Sequence, residues 1–195
     1  MTTKKEKVRK EKKYELVDAP ASRRFLSYII DWYVGALATA FPIAIISQKL
    51  YGTMLKQDIL YFDAPYGLLG GILGLCCAII YYVLIPLKDH QGQTLGKRLC
   101  KIKIVQESGK DITIKNILLR QLLGIIIIEG SLVSASAIWH QIVMILTGID
   151  ILTPLKYIGI VLSIVSVLLV LFHKNHRALH DYLGKTKVVM CESFS

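Results

Sequence analysis

The stretch that decides the fold is Phe25–Ile46, FLSYIIDWYVGALATAFPIAII, which follows the cationic pair Arg23-Arg24. About twenty apolar residues in a row can cross a bilayer as one helix. A single carboxylate, that of Asp31, interrupts this run. Because a carboxylate inside a span costs roughly 2.5–3.5 kcal/mol on insertion scales, it normally faces protein or water. Asp31 is therefore the first candidate functional residue.

Three further apolar runs follow in the chain, Tyr66–Leu87, an irregular region from about Ile117 to Leu146, and Leu155–Phe172. A soluble domain of this length would alternate polar and apolar residues instead. The sequence thus predicts an all-α membrane protein, a bundle of four transmembrane helices. The third region is compatible with one long tilted helix, with a broken helix, or with an interfacial piece followed by a span.

The distribution of lysine and arginine predicts the orientation of these helices. Basic residues gather at the N-terminus, between the second and third spans, and after the fourth, whereas the other two loops hold only Lys49, Lys56 and Lys156. The positive-inside rule then places both termini and the central loop in the cytoplasm. Four spans return the chain to its starting side, so the count agrees with the charge pattern.

The net charge of +10 is explained by this topology and by attraction to anionic lipid headgroups, the partner expected at the cytoplasmic face. Nucleic-acid binding would need aromatic stacking platforms among the basic residues, and the N-terminal run offers only Tyr14. No nucleic-acid partner is therefore predicted. Residues 1–21 are expected to form a basic disordered tail, residues 22–189 the transmembrane domain, and residues 190–195 a C-terminal tail.

Two segments of the central loop alternate polar and apolar residues, Lys101–Val105 and Asp111–Lys115. Between them lies Glu107–Lys110, ESGK, which is typical of a turn. This pattern predicts a short cytoplasmic β-hairpin between helices two and three.

Four glycines open the second span, Gly67, Gly70, Gly71 and Gly74. Glycines spaced four apart allow two helices to approach closely. The spacing favours packing, either within the chain or between subunits.

Three more charged residues are candidates for the site. Arg24 lies seven residues before Asp31 on nearly the same helix face, about 10 Å away along the axis. Direct pairing is strained at that distance, so we expect Arg24 to reach the headgroups and Asp31 to use Ser27, water or a basic group of another helix. Glu129 is a second carboxylate candidate, near mid-membrane if a helix begins near Ile117.

Asp181 follows the last span on the cytoplasmic side, where it is expected to pair with Arg24 or Arg98 and close the fold. The segment Gly92–Arg98 lacks the spacer and the Ser or Thr of a phosphate-binding loop. The four cysteines form no CxxC pair and are expected to be free thiols. The sequence predicts no enzyme, no cofactor and no metal site.

Three motifs, in order along the chain, resemble the RDD family of membrane proteins. Arg24–Asp31, RFLSYIID, is similar to the family's opening signature, an arginine at the start of the first helix and an aspartate within it. Gly92–Arg98, GQTLGKR, followed by Ile102–Val105, IKIV, resembles its loop after helix two. Leu179–Thr186, LHDYLGKT, resembles its closing motif, in which the second aspartate falls on Asp181.

Leu183 and Lys185 depart from the small residues usual in that closing motif. The resemblance implies a multi-pass protein of the bacterial cytoplasmic (inner) membrane. It also implies transport of a loosely defined set of ligands, with sodium–proton exchange in some members.

We therefore predict a small transporter, an antiporter that exchanges protons for a cation. Asp31 would be the protonatable site, Glu129 a second carboxylate and Arg24 an electrostatic tuner. Four short helices enclose little volume, so a homo-oligomer is expected. The alternative is a non-transporting membrane adaptor or assembly factor, whose glycine-lined helix binds other helices.

Overall fold

A computed structural model describes residues 17–88, 91–129 and 133–191, except for the side chains of 125, 126, 128 and 129. In chain order the elements are α1 (Ala21–Tyr51), α2 (Tyr66–Lys88), α3 (Leu95–Leu99), β1 (Ile102–Gln106), α4 (Ile114–Ile117, continued by wider π-helical turns over Leu118–Glu129), α5 (Ser134–Thr147), α6 (Leu152–Phe172), α7 (Leu179–Leu183) and β2 (Thr186–Met190). The protein is therefore mostly helical, with one small sheet.

Three helices of the described chain, α1, α2 and α6, are long and apolar enough to cross a membrane. They correspond to the first, second and fourth predicted spans. Most of their large apolar side chains point outward, which is the arrangement that lipid, rather than water, stabilises.

The third apolar region forms two helical pieces instead of one span, and residues 130–132 between them lie outside the described residues. Ile117, in α4, packs in the same cluster as Val83 and Ile102. Ile142, in α5, lies against Gly71 near the start of α2. The two pieces together carry the chain from one end of the bundle to the other. Each piece alone is shorter than a membrane span.

The predicted β-hairpin is wrong, because β1 pairs with β2 rather than with the segment after the turn. The pairing is antiparallel and sets Ile104 opposite Val188. Residues 111–115 instead lead into α4, where Thr113 and Asn116 form a capping box. Such a cap satisfies the free backbone donors at a helix start, so this local polar pattern favours a helix over a second strand.

The described ends of the chain meet at one end of the bundle. The backbone amide of Ala19 donates to the carbonyl of Val188 at 3.0 Å, and that of Met190 donates to the carbonyl of Val17 at 2.9 Å. Residues 17–19 therefore lie alongside β2, which ends at Met190. We call this end, formed by residues 17–31, 80–88, 91–121 and 173–191, the basic end.

The glycines of α2 pack within the chain. A Cβ at Gly74 would lie 2.9 Å from the carbonyl oxygen of Thr39 in α1, and one at Gly71 would lie 2.8 Å from Ile142 in α5. Cβ atoms do not come within 3.0 Å of other heavy atoms in real proteins. The short distance between α2 and its neighbours therefore requires glycine at these two positions. Of the two kinds of packing that the sequence left open, these contacts are internal.

Candidate functional site

The buried side of α1 is a line of mostly small or polar residues spaced four apart: Ser27, Asp31, Gly35, Thr39, Ile43 and Ser47. Residues at this spacing share one face of an α-helix. The face turns toward the interior of the bundle, where polar groups find protein partners rather than lipid. Asp31 is the acidic residue on it, and it is only 4% exposed.

Five groups donate hydrogen bonds to the Asp31 carboxylate, and the longest of these bonds comes from the Ser27 hydroxyl, which lies 3.5 Å from Oδ2. Oδ1 accepts from the Tyr81 hydroxyl at 2.7 Å and from the backbone amide of Gly96 at 2.9 Å. Oδ2 accepts from the Thr94 hydroxyl at 2.5 Å and from Lys97 Nζ at 2.8 Å. The buried negative charge is thereby both hydrogen-bonded and balanced, as a buried ion must be.

Asp31 also acts as the N-terminal cap of α3. Thr94 stands at the capping position, but its side chain makes no capping bond and donates to Asp31 instead. The carboxylate accepts from Gly96, the second residue of the helix, a bond normally made by the capping residue itself. The helix α3 is therefore held in place by a residue of α1.

Glycine at position 96 makes this approach feasible. A Cβ there would lie 2.4 Å from the Ser27 carbonyl oxygen and 2.8 Å from Asp31 Oδ1. From the sequence, the motif GQTLGKR, Gly92–Arg98, shows no phosphate-binding loop and is identifiable only by its resemblance to a loop of the RDD family. In the structure it supplies Thr94, Gly96 and Lys97 to the site.

A second tyrosine of α2 holds the backbone of α1 at the same level. The Tyr82 hydroxyl donates to the carbonyl oxygen of Asp31 at 2.9 Å. It lies over Gly35, where a Cβ would come within 2.0 Å of the hydroxyl oxygen. Tyr82 thus positions Asp31 through the main chain.

We expect Gly35→Ala to destabilise the protein by about 1–3 kcal/mol, the usual range for overpacking, because the new methyl group collides with the Tyr82 ring. In a Tyr82→Leu background, which removes the colliding atoms, the same change should cost clearly less. Unfolding midpoints of the wild type, the two single variants and the double variant in detergent measure this coupling. Simply additive effects of the two substitutions would contradict the contact.

Asp181 is the centre of a separate charge cluster at the basic end. It is fully buried and accepts from the guanidinium groups of Arg24 and Arg120, and from the backbone amide of Ala178 at 2.9 Å. Burial alone would raise its pKa, but Arg120, the neighbouring His180 and Arg24 together hold the pKa of this carboxyl well below its usual range. Asp181 is therefore ionised at neutral pH.

Arg24 does not reach toward headgroups as expected. Its guanidinium group donates to the Asp181 carboxylate and to the carbonyl of His176. Of the two pairings expected for Asp181, the one with Arg24 is therefore present. Arg120 is a further partner of Asp181 that the sequence does not suggest. Arg24 and Asp31 belong to two different clusters. Glu129 ends α4, and its side chain lies outside the described residues.

In the described part of the chain, no group of three or more His, Cys, Asp or Glu residues is arranged to hold a metal ion. Its two buried carboxylates, Asp31 and Asp181, are both bound to cationic side chains. The first pair lies inside the bundle, and the second ties together α1, α4 and α7.

Three helices long and apolar enough to cross a bilayer, joined to their neighbours by buried ion pairs, are typical of a multi-pass integral membrane protein. The sequence pattern of the RDD family matches residues 19–185. The chain belongs to this family, as its three motifs predicted. Neither a curated protein nor a solved structure matches it.

Proposed function

We propose that this protein is a small membrane transporter that exchanges a monovalent cation for a proton at the pair formed by Asp31 and Lys97. The observation that carries the proposal is a carboxylate inside a spanning helix that accepts hydrogen bonds from hydroxyl groups and is paired with an ammonium group. Intramembrane carboxylates commonly mark ion pathways. The membrane is proposed to be the bacterial cytoplasmic membrane, with the basic end inside.

The atoms around Lys97 Nζ suit a small hard cation. They are Asp31 Oδ2 at 2.8 Å and Thr94 Oγ1 at 3.2 Å, and the Ser27 hydroxyl lies 3.5 Å from the same carboxylate oxygen. Hard cations are bound by oxygen ligands of this kind. A cation that displaced the ammonium group would find these oxygens in place.

Charge balance indicates which group carries the proton. In the resting pair the negative charge of Asp31 is matched by the ammonium charge of Lys97. When a cation takes the place of the ammonium group, Lys97 releases one proton to water and becomes neutral, so the buried site stays neutral in both states. This assigns the exchanged proton to Lys97, whereas the sequence had suggested Asp31.

A route across the membrane is proposed to require a homo-oligomer. The face of α1 that carries Asp31 is already filled by α2 and α3. A single chain of short helices leaves little interior volume for a path. Residues of a second copy would complete the route beyond the pair.

A non-transporting adaptor remains the competing function. It would not bind its partner through the glycines of α2, as the sequence suggests. The glycines of α2 contact α1 and α5, so they are not available to another protein. An adaptor would have to bind through its lipid-facing helices or through its basic end. Absence of cation-dependent flux would favour this function.

In proteoliposomes, we expect Asp31→Asn to reduce proton flux driven by sodium, lithium or potassium to the level of empty vesicles. A neutral amide neither holds the Lys97 ammonium group nor attracts a cation. Asp111→Asn, which changes an exposed carboxyl group of the central loop, is the matched control and should keep wild-type flux. Wild-type flux in Asp31→Asn at equal protein content would refute the proposal.

Lys97→Gln separates the two halves of the exchange. It keeps the oxygen ligands but removes the proton carrier, so cation uptake should continue without proton release. If Asp31→Asn proves unstable, the neutral double variant Asp31→Asn/Lys97→Gln tests the loss of flux without an unpaired buried charge. Coupled proton release by Lys97→Gln would show that another group carries the proton.

A further inference from the structure

The helix α3 has two different sides. On one side Gly96 contacts the backbone of Ser27, and Lys97 reaches Asp31. On the other side Leu95 and Leu99, one turn apart, are 41% and 64% exposed, and Arg98 is exposed beside them. A helix that exposes leucines next to a cation is amphipathic in the manner of helices that lie at a membrane surface.

The position of α3 along α1 sets its depth. It packs beside Ser27, in the second turn of α1. The outward side chains of this part of α1, Phe25 and Leu26, are 66% and 54% exposed. Because α1 is a membrane span, these side chains mark the edge of the hydrocarbon region. The exposed leucines of α3 therefore lie at the boundary between acyl chains and headgroups.

The charge around α3 is positive. Arg23, Arg98 and Lys101 are exposed, and the Arg23 guanidinium donates to the carbonyl of Cys100 directly after α3, at 3.4 Å. The carboxylate that bonds α3, that of Asp31, is already neutralised by Lys97. Clustered lysine and arginine beside a spanning helix match the chemistry of anionic lipid headgroups.

We propose that the outer side of α3 is a specific docking surface for anionic phospholipid, with Arg98 and Lys101 on the headgroup phosphate and Leu95 and Leu99 among the acyl chains. Lipid bound there presses α3 against α1 and stabilises the contact between Gly96 and Asp31. The proposal concerns this surface alone and holds whether or not the protein transports a cation.

The test is the thermal unfolding of the purified full-length protein in mixed micelles containing phosphatidylcholine or phosphatidylglycerol. A ligand that binds the folded state raises its unfolding temperature. We expect phosphatidylglycerol to raise it by several degrees in the wild type and by less than half as much in Arg98→Gln/Lys101→Gln. Lys110→Gln/Lys115→Gln, which removes two exposed charges outside α3, is the control and should keep the full shift.

Equal shifts in the wild type and in Arg98→Gln/Lys101→Gln would overturn the proposal. A shift of the same size with inorganic phosphate in place of lipid would also overturn it, since the surface would then be an anion site. If the double variant does not fold, the wild type alone decides. Its shift should shrink at high salt, which screens exposed charges, and a salt-independent shift would contradict headgroup binding.

Discussion

Replacing Asp181 by alanine is expected to lower the free energy of unfolding by about 3–5 kcal/mol, the cost of leaving buried charge without its partner. The substitution strands two guanidinium groups at once, since Arg24 and Arg120 both bond this carboxylate. It also removes the acceptor of the Ala178 amide at the start of α7. Chemical or thermal unfolding in detergent measures the loss.

The ion pair of Glu107 with Arg177 supplies the control. Arg177 Nη1 and Glu107 Oε1 lie 2.5 Å apart, but the glutamate side chain is 45% exposed. Such exposed pairs contribute about 0–1 kcal/mol, so Glu107→Gln should change stability little. An Asp181→Ala variant no less stable than Glu107→Gln would contradict the role of the cluster.

Two further measurements separate stranded charge from lost contacts. The variant Arg24→Met/Arg120→Met/Asp181→Leu removes all three charges and should recover much of the lost stability, as buried ion clusters often tolerate apolar replacement.

The pH dependence of the stability contributed by Asp181 has a definite sign. Because folding lowers the pKa of Asp181, its contribution is complete above its ordinary pKa of about 4 and is lost as the pH falls further. The cost of Asp181→Ala should therefore be constant between about pH 5 and pH 8.

Hydrophobic run length was enough to predict three of the spans, because crossing a bilayer imposes a minimum length that is visible in the chain. The third region was ambiguous for a physical reason. Arg120 and Gln121 lie in its first half and are buried, so this part behaves as the polar interior of a bundle and not as a lipid-facing span.

The strand partner of β1 was not predictable in the same way. Lys101–Val105 alternates polar and apolar residues, whereas the β2 sequence Thr186–Met190, TKVVM, does not, and alternation identifies a strand without identifying its partner. Sequence proximity favoured the segment after the turn. The capping box of Thr113 and Asn116 was the local feature that could have excluded it.

For the site, Asp31, its hydroxyl partner Ser27 and Asp181 were identifiable from the sequence, but the other groups that bind Asp31 were not. Asp31 was identifiable because a carboxylate in an apolar run is costly. Lys97 was not, because it is one of many basic residues in the central loop and only the folded α3 directs it inward. Gly96 was visible within a motif, but the need for a close approach became clear only from its neighbours.

The second large effect is expected for Gly96→Ala. The added methyl group would fall 2.4 Å from a backbone oxygen of α1 and 2.8 Å from the Asp31 carboxylate, and the backbone oxygen cannot move without distorting the helix. Either α3 separates from α1 or the carboxylate changes its rotamer. Both outcomes break the bond between Asp31 and Lys97. We expect a loss of about 1–3 kcal/mol from overpacking, together with cation-coupled flux close to that of empty vesicles.

Gly70→Ala is the matched control, a glycine-to-alanine change in a helix where the nearest atoms lie 3.5–3.9 Å from the new Cβ. That is ordinary van der Waals contact, so stability and flux should stay near wild type. The comparison removes the general effect of adding a methyl group to a helix. If Gly96→Ala matched Gly70→Ala in both measurements, α3 would not need to lie against Asp31, and the pair with Lys97 would not be the site of exchange.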